Sequence, residues 1–125
     1  MANNAPRKYD LEERLLDFAV SVIEIVEGLP DTKVCNHLGG QLLRSGTSPA
    51  LNYGEAQAAE SKKDFIHKLG VILKELRETC VCLRMLNHKS LLSKVEVLSE
   101  NKELIAIFAK SILTARARPS LINVG

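Results

Sequence analysis

The sequence predicts an all-α protein that folds as an antiparallel up-down-up-down four-helix bundle with a kinked second helix. Four segments place apolar residues at alternating spacings of three and four, the pattern of one buried helix face. No segment alternates apolar and polar residues with the period of two that a strand needs. The length of 125 residues, 46% of them hydrophobic, suits one core and therefore a single domain, assigned to residues 1–125. Residues 1–9 and 117–125 are expected to be loose ends.

The composition and the N-terminal residues also indicate the cellular compartment. No stretch approaches the roughly 18 consecutive apolar residues of a membrane span, and the first residues lack the apolar core of a secretion signal. The three cysteines are an odd number, which suits reduced thiols better than disulfides. We therefore expect a cytoplasmic protein that is not integral to a membrane.

The first helix is predicted to begin at Asp10, which can cap it, with Glu13 three residues later. It is expected to end at Gly28-Leu29-Pro30, because Gly tolerates a left-handed closing residue and Pro cannot continue a helix. Its apolar residues are Leu11, Leu15, Phe18, Val22, Ile25 and Leu29.

A second helix is predicted from Asp31 or Thr32 to about Ala59. Pro49 falls inside it, and a proline removes one backbone hydrogen bond and crowds the carbonyl four residues earlier. Gly46 and the serines beside it relieve that crowding, so the favoured interpretation is one kinked, continuous helix. The alternative is two shorter helices with a break near Gly46.

A third helix is predicted to begin after Ser61, a capping residue, and to end at Asn87-His88-Lys89. Its apolar residues are Phe65, Leu69, Ile72, Leu76, Leu83 and Leu86, with Thr79 or Cys80 filling the gap between the two halves.

A fourth helix is expected from about Glu100 to Arg116, capped by Ser99 and stopped by Pro119. Its apolar side is formed by Leu104, Ile107 or Phe108, Ile112 and Ala115.

Charge is distributed unevenly along the chain. The net charge of +2 is too small to mark a nucleic-acid-binding protein by itself. Residues 1–31 carry three basic and seven acidic groups, residues 60–90 seven basic and four acidic, and residues 101–125 four basic and one acidic. The favoured interpretation is an acidic first helix that packs beside basic partners, within or between subunits. The alternative is a basic patch that binds phosphates.

A polar stripe, formed by Arg44, Ser48, Asn52 and Glu55, lies on one face of the second helix. It is bordered by small residues that allow another backbone to approach, namely Ser45, Gly46, Ala50 and Gly54. Arg44 and Glu55 are too far apart to pair with each other. The expected partners of Glu55 are Lys74, Arg77 or Arg84. The favoured interpretation is a structural network that fixes the register of the helices.

At these residues the sequence resembles the four-helix-bundle proteins named after the intervening sequences of 23S ribosomal RNA genes. In the second helix the matching residues are Gln41, Leu42, Arg44, Ser45, Ser48, Asn52 and Glu55. Further matches are Ser61, Asp64-Phe65, Leu69, Lys74-Glu75-Leu76, Glu78 and the run from Ser111 to Arg116. The chain departs from the pattern at Tyr53-Gly54, where Ile-Ala is usual, and at Ala56, where Gly is usual.

The resemblance implies antiparallel bundles that associate side by side into ring-shaped homopentamers. Such a ring repeats one heterologous interface, which fits an acidic first helix facing a basic neighbour. In one related branch, the accessory variability determinant of diversity-generating retroelements, the bundle partners a reverse transcriptase and binds nucleic acid through a basic surface.

Residue patterns of enzymes and metal proteins are not evident. Two thiols at positions two apart, as in Cys80-Val81-Cys82, point away from each other on a helix and do not share a metal. Cys35 and His37 have the same geometry, so buried structural cysteines are expected. Neither His67 nor His88 has a carboxylate pattern beside it, and no phosphate-binding loop is present. We expect no enzyme, no cofactor and no metal.

Two functions fit the sequence. The first is an accessory protein that binds structured RNA or DNA through basic patches on a homopentamer. Its candidate phosphate contacts are Lys62, Lys63, Arg77, Arg84, Arg116 and Arg118. The near absence of aromatic residues for base stacking counts against it. The second is a protein-interaction scaffold with no nucleic-acid binding.

Overall fold

The computed structural model describes residues 10–118, and these form four helices with no strand. The helices are α1 (Leu11–Glu27), α2 (Lys33–Gln57), α3 (Lys62–His88) and α4 (Glu96–Ala117). Contacts between consecutive helices show that they run antiparallel. Ser45 pairs with Thr79 near the middle of α2 and α3, and Glu55 approaches Lys68 nearer the end. The predicted all-α, up-down arrangement is confirmed.

The core lies between the four helices, and the predicted apolar faces line it. Of the two residues predicted to fill the gap in α3, Thr79 rather than Cys80 is fully buried. Of the two alternatives in α4, Phe108 rather than Ile107 is fully buried. The principal buried apolar residues are Leu15, Phe18, Val22, Ile25, Leu42, Leu69, Ile72, Leu76, Leu83, Leu86, Leu104, Phe108 and Ile112.

Three helices begin where their capping residues predict. The side chains of Asp10, Thr32 and Ser61 each accept a hydrogen bond from the backbone N–H three residues later, which satisfies a donor that lacks a partner within the helix. The end of α1 differs in detail from the expectation, because Gly28 has φ −90° rather than a left-handed conformation.

The second helix is continuous across Pro49, so the alternative of a break near Gly46 is wrong. Gly46 has a role beyond relieving the crowding near the proline. A Cβ atom at this position would lie 2.7 Å from Cγ1 of Val22, so the missing side chain lets α1 approach α2. Gly54 has no such neighbour, since nothing lies within 4 Å of a Cβ placed there.

The fourth helix begins one turn earlier than predicted, at Glu96 instead of Glu100. Ser99 therefore lies inside the helix, and Val95 occupies the cap position without a side-chain hydrogen bond. Burial of Val97 against the core explains the extra turn. The helix also extends to Ala117, the first residue of the expected C-terminal loose end. Of the expected loose ends 1–9 and 117–125, only residues 117 and 118 lie within the described residues.

The contact between α1 and α4 is much lighter than the other three contacts between neighbouring helices. Ion pairs bridge it. Arg14 lies 2.6 Å from a carboxylate oxygen of Glu100 and 3.0 Å from one of Glu103, and Lys94 pairs with Glu24. These contacts raise the pKa of Arg14, chiefly through the hydrogen bond to Glu100. Within one subunit, α1 thus contacts α4 through Arg14 and two acidic residues of α4, and Glu24 of α1 pairs with the basic Lys94.

Candidate nucleic-acid interface

The polar stripe of α2 is engaged within the subunit, mostly by α3. Arg44 lies 3.0 Å from a carboxylate oxygen of Glu75 and also pairs with Glu78. Asn52 donates a hydrogen bond to the hydroxyl of Ser48 at 2.9 Å. The ion pairs of Arg44 join two antiparallel helices in one register, whereas the hydrogen bond between Asn52 and Ser48 lies within α2.

Glu55, the last residue of the stripe, is approached by a residue that the sequence did not single out. Lys68 Nζ lies 3.9 Å from its carboxylate, whereas Lys74, Arg77 and Arg84, the expected partners, make no ion pair with it. The register of the two antiparallel helices explains the difference. Ser45 lies opposite Thr79, so a residue ten positions further along α2 meets the first turns of α3.

The three acidic residues of α3 each have a basic partner. Glu75 and Glu78 pair with Arg44, as described, and Asp64 lies 3.6 Å from Lys68. The hydrogen bonds that Arg44 donates to Glu78 and Glu75 raise the pKa of Arg44. Glu75 and Glu78 are engaged on the side of the helix beside α2, and no acidic residue occupies the positions of its outer, solvent-facing side.

The outer side of α3 carries a row of exposed basic residues, which we call the basic stripe: Lys63, His67, Lys74, Arg77, Arg84 and His88. With Gly70 and Val81 they follow one another at alternating steps of four and three, so they share one helix face. No ion pair to any of them is found among residues 10–118. At 1.5 Å per residue the stripe is about 37 Å long.

Two further basic residues flank the stripe on α4. Asn101 donates a hydrogen bond to the carbonyl of Leu76 at 3.2 Å, which sets the register of α3 against α4. In that register Lys102 lies level with the middle of the stripe and Arg116 lies near its beginning. Both are exposed, and helical spacing places them on the side of α4 that adjoins α3.

The candidate phosphate contacts are thus only partly brought together. Lys63, Arg77 and Arg84 belong to the basic stripe, and Arg116 flanks it. Lys62 points elsewhere: it is half-buried and donates a hydrogen bond to the backbone carbonyl of Arg118. The side chain of Arg118 is exposed at the end of α4.

Lys74 is not among the candidate phosphate contacts predicted from the sequence, although its spacing places it on the basic stripe. It lies eleven residues after Lys63 and three before Arg77, which is the spacing of a single helix face. The same count excludes Lys62, which is turned by about 100° from Lys63.

The cysteines lie where structural thiols are expected. Cys35 and Cys82 are buried and Cys80 is half-buried, and all three are free. Burial, and to a lesser extent the charge of Glu78, raises the pKa of Cys82, so this thiol is a poor nucleophile at neutral pH. Residues 10–118 contain no cluster of three or more His, Cys, Asp or Glu side chains that could hold a metal ion. No helix in this range is long and apolar enough to cross a membrane.

Comparison with known proteins agrees with the fold and with the matching residues. The family model of the 23S rRNA-intervening sequence proteins matches residues 7–112. The chain belongs to this family. A crystal structure from Bacteroides thetaiotaomicron, described as a protein of unknown function from the S23 ribosomal protein family, is 30% identical with a TM-score of 0.74. The match covers 81% of this chain and 96% of that one. None of the curated proteins matches.

Family membership accounts for the shared residues of α2 and α3. Arg44, Glu75 and Glu78, which carry part of the resemblance, form the ion pairs that join these two helices. The family pattern in this region therefore coincides mainly with contacts that hold the bundle together, and Lys74 is the one residue of the basic stripe among the matching residues named above.

Proposed function

We propose that this family member is a non-enzymatic accessory protein that assembles as a ring-shaped homopentamer and binds structured RNA or DNA through the basic stripe of α3. A cytoplasmic location is part of the proposal and agrees with three unpaired cysteines. A reverse-transcriptase-like protein, the partner in a related branch, is a candidate protein partner of the ring.

The observation that carries the proposal is the separation of charge across α3. Glu75 and Glu78 are opposed by Arg44 of α2, and Asp64 by Lys68 of α3 itself, whereas the cations of the stripe face solvent with no acidic partner among the described residues. A row of unopposed Lys and Arg favours phosphate contacts, because binding releases condensed counterions. The small net charge of +2 does not prevent this, since the relevant field is local.

The aromatic residues support phosphate contacts over the reading of bases. Tyr53 packs edge-on against Phe108 with ring centroids 5.9 Å apart, and Phe18 is buried. Phe65 is half-buried. With no exposed phenylalanine or tyrosine ring among residues 10–118, base stacking of the kind used for single strands lacks its usual platform there. The proposed ligand is therefore a structured, phosphate-presenting nucleic acid, with affinity raised by repetition of the stripe around the ring.

The experiment compares two double variants of equal charge change. Lys74→Glu/Arg77→Glu reverses the middle of the stripe, and Lys33→Glu/Lys110→Glu reverses two exposed cations outside it. Binding of a labelled RNA hairpin and of a DNA duplex is followed by fluorescence anisotropy at several salt concentrations. Charged hydrogen bonds contribute about 1.5–3 kcal/mol each, so the stripe variant is expected to bind at least about tenfold more weakly.

The salt dependence provides the second readout. Each lost phosphate contact lowers the slope of log K against log salt by about 0.9 on duplex DNA. The stripe variant should therefore show a shallower slope than the control. Equal losses in both variants, or no binding by the wild type after nuclease treatment, would refute a role for the stripe and leave the protein-interaction scaffold as the better account.

That scaffold is the second candidate function, and exposed apolar side chains favour it. Val81 and Met85 on α3 are large and solvent-exposed, and so is Val20 on α1. Clusters of exposed apolar residues are unusual on a protein that binds no partner. A scaffold predicts that nuclease-treated protein binds a protein partner with unchanged affinity.

A further inference from the structure

Two exposed apolar surfaces of this chain carry opposite charge. The first, which we call the acidic face, lies on the outer side of α1 and α2. It contains Leu16, Val20, Leu43 and Leu51, which are 40–73% exposed. The contact between Gly46 and Val22 fixes the level of one helix against the other and brings these four residues to one side of the bundle.

The acidic face has a rim of carboxylates. Glu13 lies three residues before Leu16, and Asp17 three residues before Val20, so each is a neighbour of an exposed apolar residue on the helix surface. Glu13, Asp17 and Glu27 are exposed and make no ion pair with residues 10–118. A partner that covers the apolar residues therefore meets unopposed negative charge at the edge.

The second surface, which we call the cationic groove, is an open groove of about 570 Å³ between α2 and α3. Its apolar residues are Leu38, Val81 and Met85, and its rim is formed by Arg84, His88 and Lys89. Val34, one turn before Leu38, is 60% exposed and extends the apolar surface. The imidazole of His88 is hydrogen-bonded to the carbonyl of Arg84 at 2.8 Å.

We propose that the acidic face of one copy of this chain docks on the cationic groove of the next. Both surfaces present exposed apolar side chains. Their rims carry unopposed charges of opposite sign. Such complementarity favours one orientation and disfavours like-charged pairings. This inference rests on the homo-oligomer part of the proposed function and names its contact surfaces.

The position of the two surfaces fits repeated assembly. Both include α2, but the acidic face uses the flank of α2 beside α1, and the groove uses the flank beside α3. They do not overlap, so one copy can engage two neighbours at once. A contact between different surfaces is heterologous and closes into a ring when the rotation per subunit allows. Lys63, Lys74 and Arg77 of the basic stripe lie outside the groove and remain open to phosphate.

The test uses one charge change in each surface. Val20→Arg places a cation opposite the cationic rim, and Met85→Glu places a carboxylate opposite the acidic rim. Both residues are about half exposed, so each variant is expected to fold, which circular dichroism checks. Leu113→Arg, at a 65% exposed position on α4, is the control. Light scattering should show smaller particles for the first two variants and a wild-type mass for the control.

Mixing the two variants gives the decisive measurement. Val20→Arg retains an intact groove, and Met85→Glu retains an intact acidic face. The mixture can therefore form one contact, and a 1:1 dimer of twice the 13.8 kDa chain is expected. A mixture that stays monomeric, or single variants that keep the wild-type mass, would overturn the pairing of these surfaces.

The outcomes separate this inference from the proposed function. If the wild type is a multimer and both single variants remain so, the assembly stands and only its surfaces are wrong. If the wild type is a monomer, the ring and this inference fail together, while nucleic-acid binding by the stripe is judged by its own variants.

Discussion

Replacing Gly46 by alanine would place a methyl group in the contact between α1 and α2. The new Cβ would lie 2.7 Å from Cγ1 of Val22 and 2.8 Å from its Cγ2. Carbon atoms in ordinary contact are about 3.5–4.0 Å apart, so one of the helices must move by close to 1 Å. Val22 is fully buried and its χ1 is stiff, so the side chain cannot turn away.

The magnitude follows from two opposing effects. Overpacking of a close-packed core costs about 1–3 kcal/mol, whereas alanine stabilises a helix interior by about 0.5–1 kcal/mol relative to glycine. We expect Gly46→Ala to lower the free energy of unfolding by about 1–2 kcal/mol as the difference of these two effects. Gly54→Ala on the same helix, where nothing lies within 4 Å, should instead raise it by about 0.5–1 kcal/mol.

The assay is urea unfolding followed by circular dichroism at one fixed chain concentration, because assembly makes stability depend on concentration. A double-mutant cycle with Val22→Ala isolates the contact. Removal of the two methyl groups of Val22 takes away the two closest atoms and leaves only Cβ of residue 22, at 3.1 Å, so the double variant should be more stable than the sum of the single changes predicts. If Gly46→Ala is as stable as Gly54→Ala, the proposed close approach of α1 and α2 is wrong.

Two other predictions concern buried polar groups. The side chain of Asn101 is fully buried, and its Oδ1 atom has no hydrogen-bond partner, so Asn101→Leu should raise the free energy of unfolding by about 1–2 kcal/mol. Lower stability of this variant in urea would mean that the hydrogen bond to Leu76 outweighs the unpaired oxygen. Burial raises the pKa of Cys82, so above a pH of about 8.5 the unfolded chain loses this proton while the folded chain retains it. The free energy of unfolding should therefore fall as the pH rises through that value, and less steeply in Cys82→Ala; equal slopes for the two proteins would contradict the effect of burial.

Most of the fold is predictable from the sequence, because local signals and core packing agree there. Asp10, Thr32 and Ser61 cap helices whose apolar residues recur at helical spacing, and these elements begin as expected. The start of α4 was placed one turn late because Ser99 looks like a cap. The burial of Val97 carries the helix past that signal, and no local pattern records a tertiary contact of this kind.

The candidate site is less predictable, because it depends on which charges are opposed. The sequence gives the spacing that places Lys74 beside Arg77, but not that Arg44 occupies both Glu75 and Glu78. The role of Asn101 was also missed, since a polar residue in a helix is usually exposed. Such facts depend on the register between antiparallel helices, which is set by packing over the whole length of the bundle.

The light contact between α1 and α4 has a consequence for how the core meets water. Three sides of the bundle are closed by interdigitated side chains, whereas this side depends partly on Arg14 with Glu100 and Glu103 and on Lys94 with Glu24. Ion pairs of this exposure contribute little individually and are screened by salt. The bundle is therefore closed by side-chain packing on three sides, and ion pairs contribute to the closure between α1 and α4. Rising ionic strength loosens that side first, so solvent reaches the interior between the first and last helices of the chain.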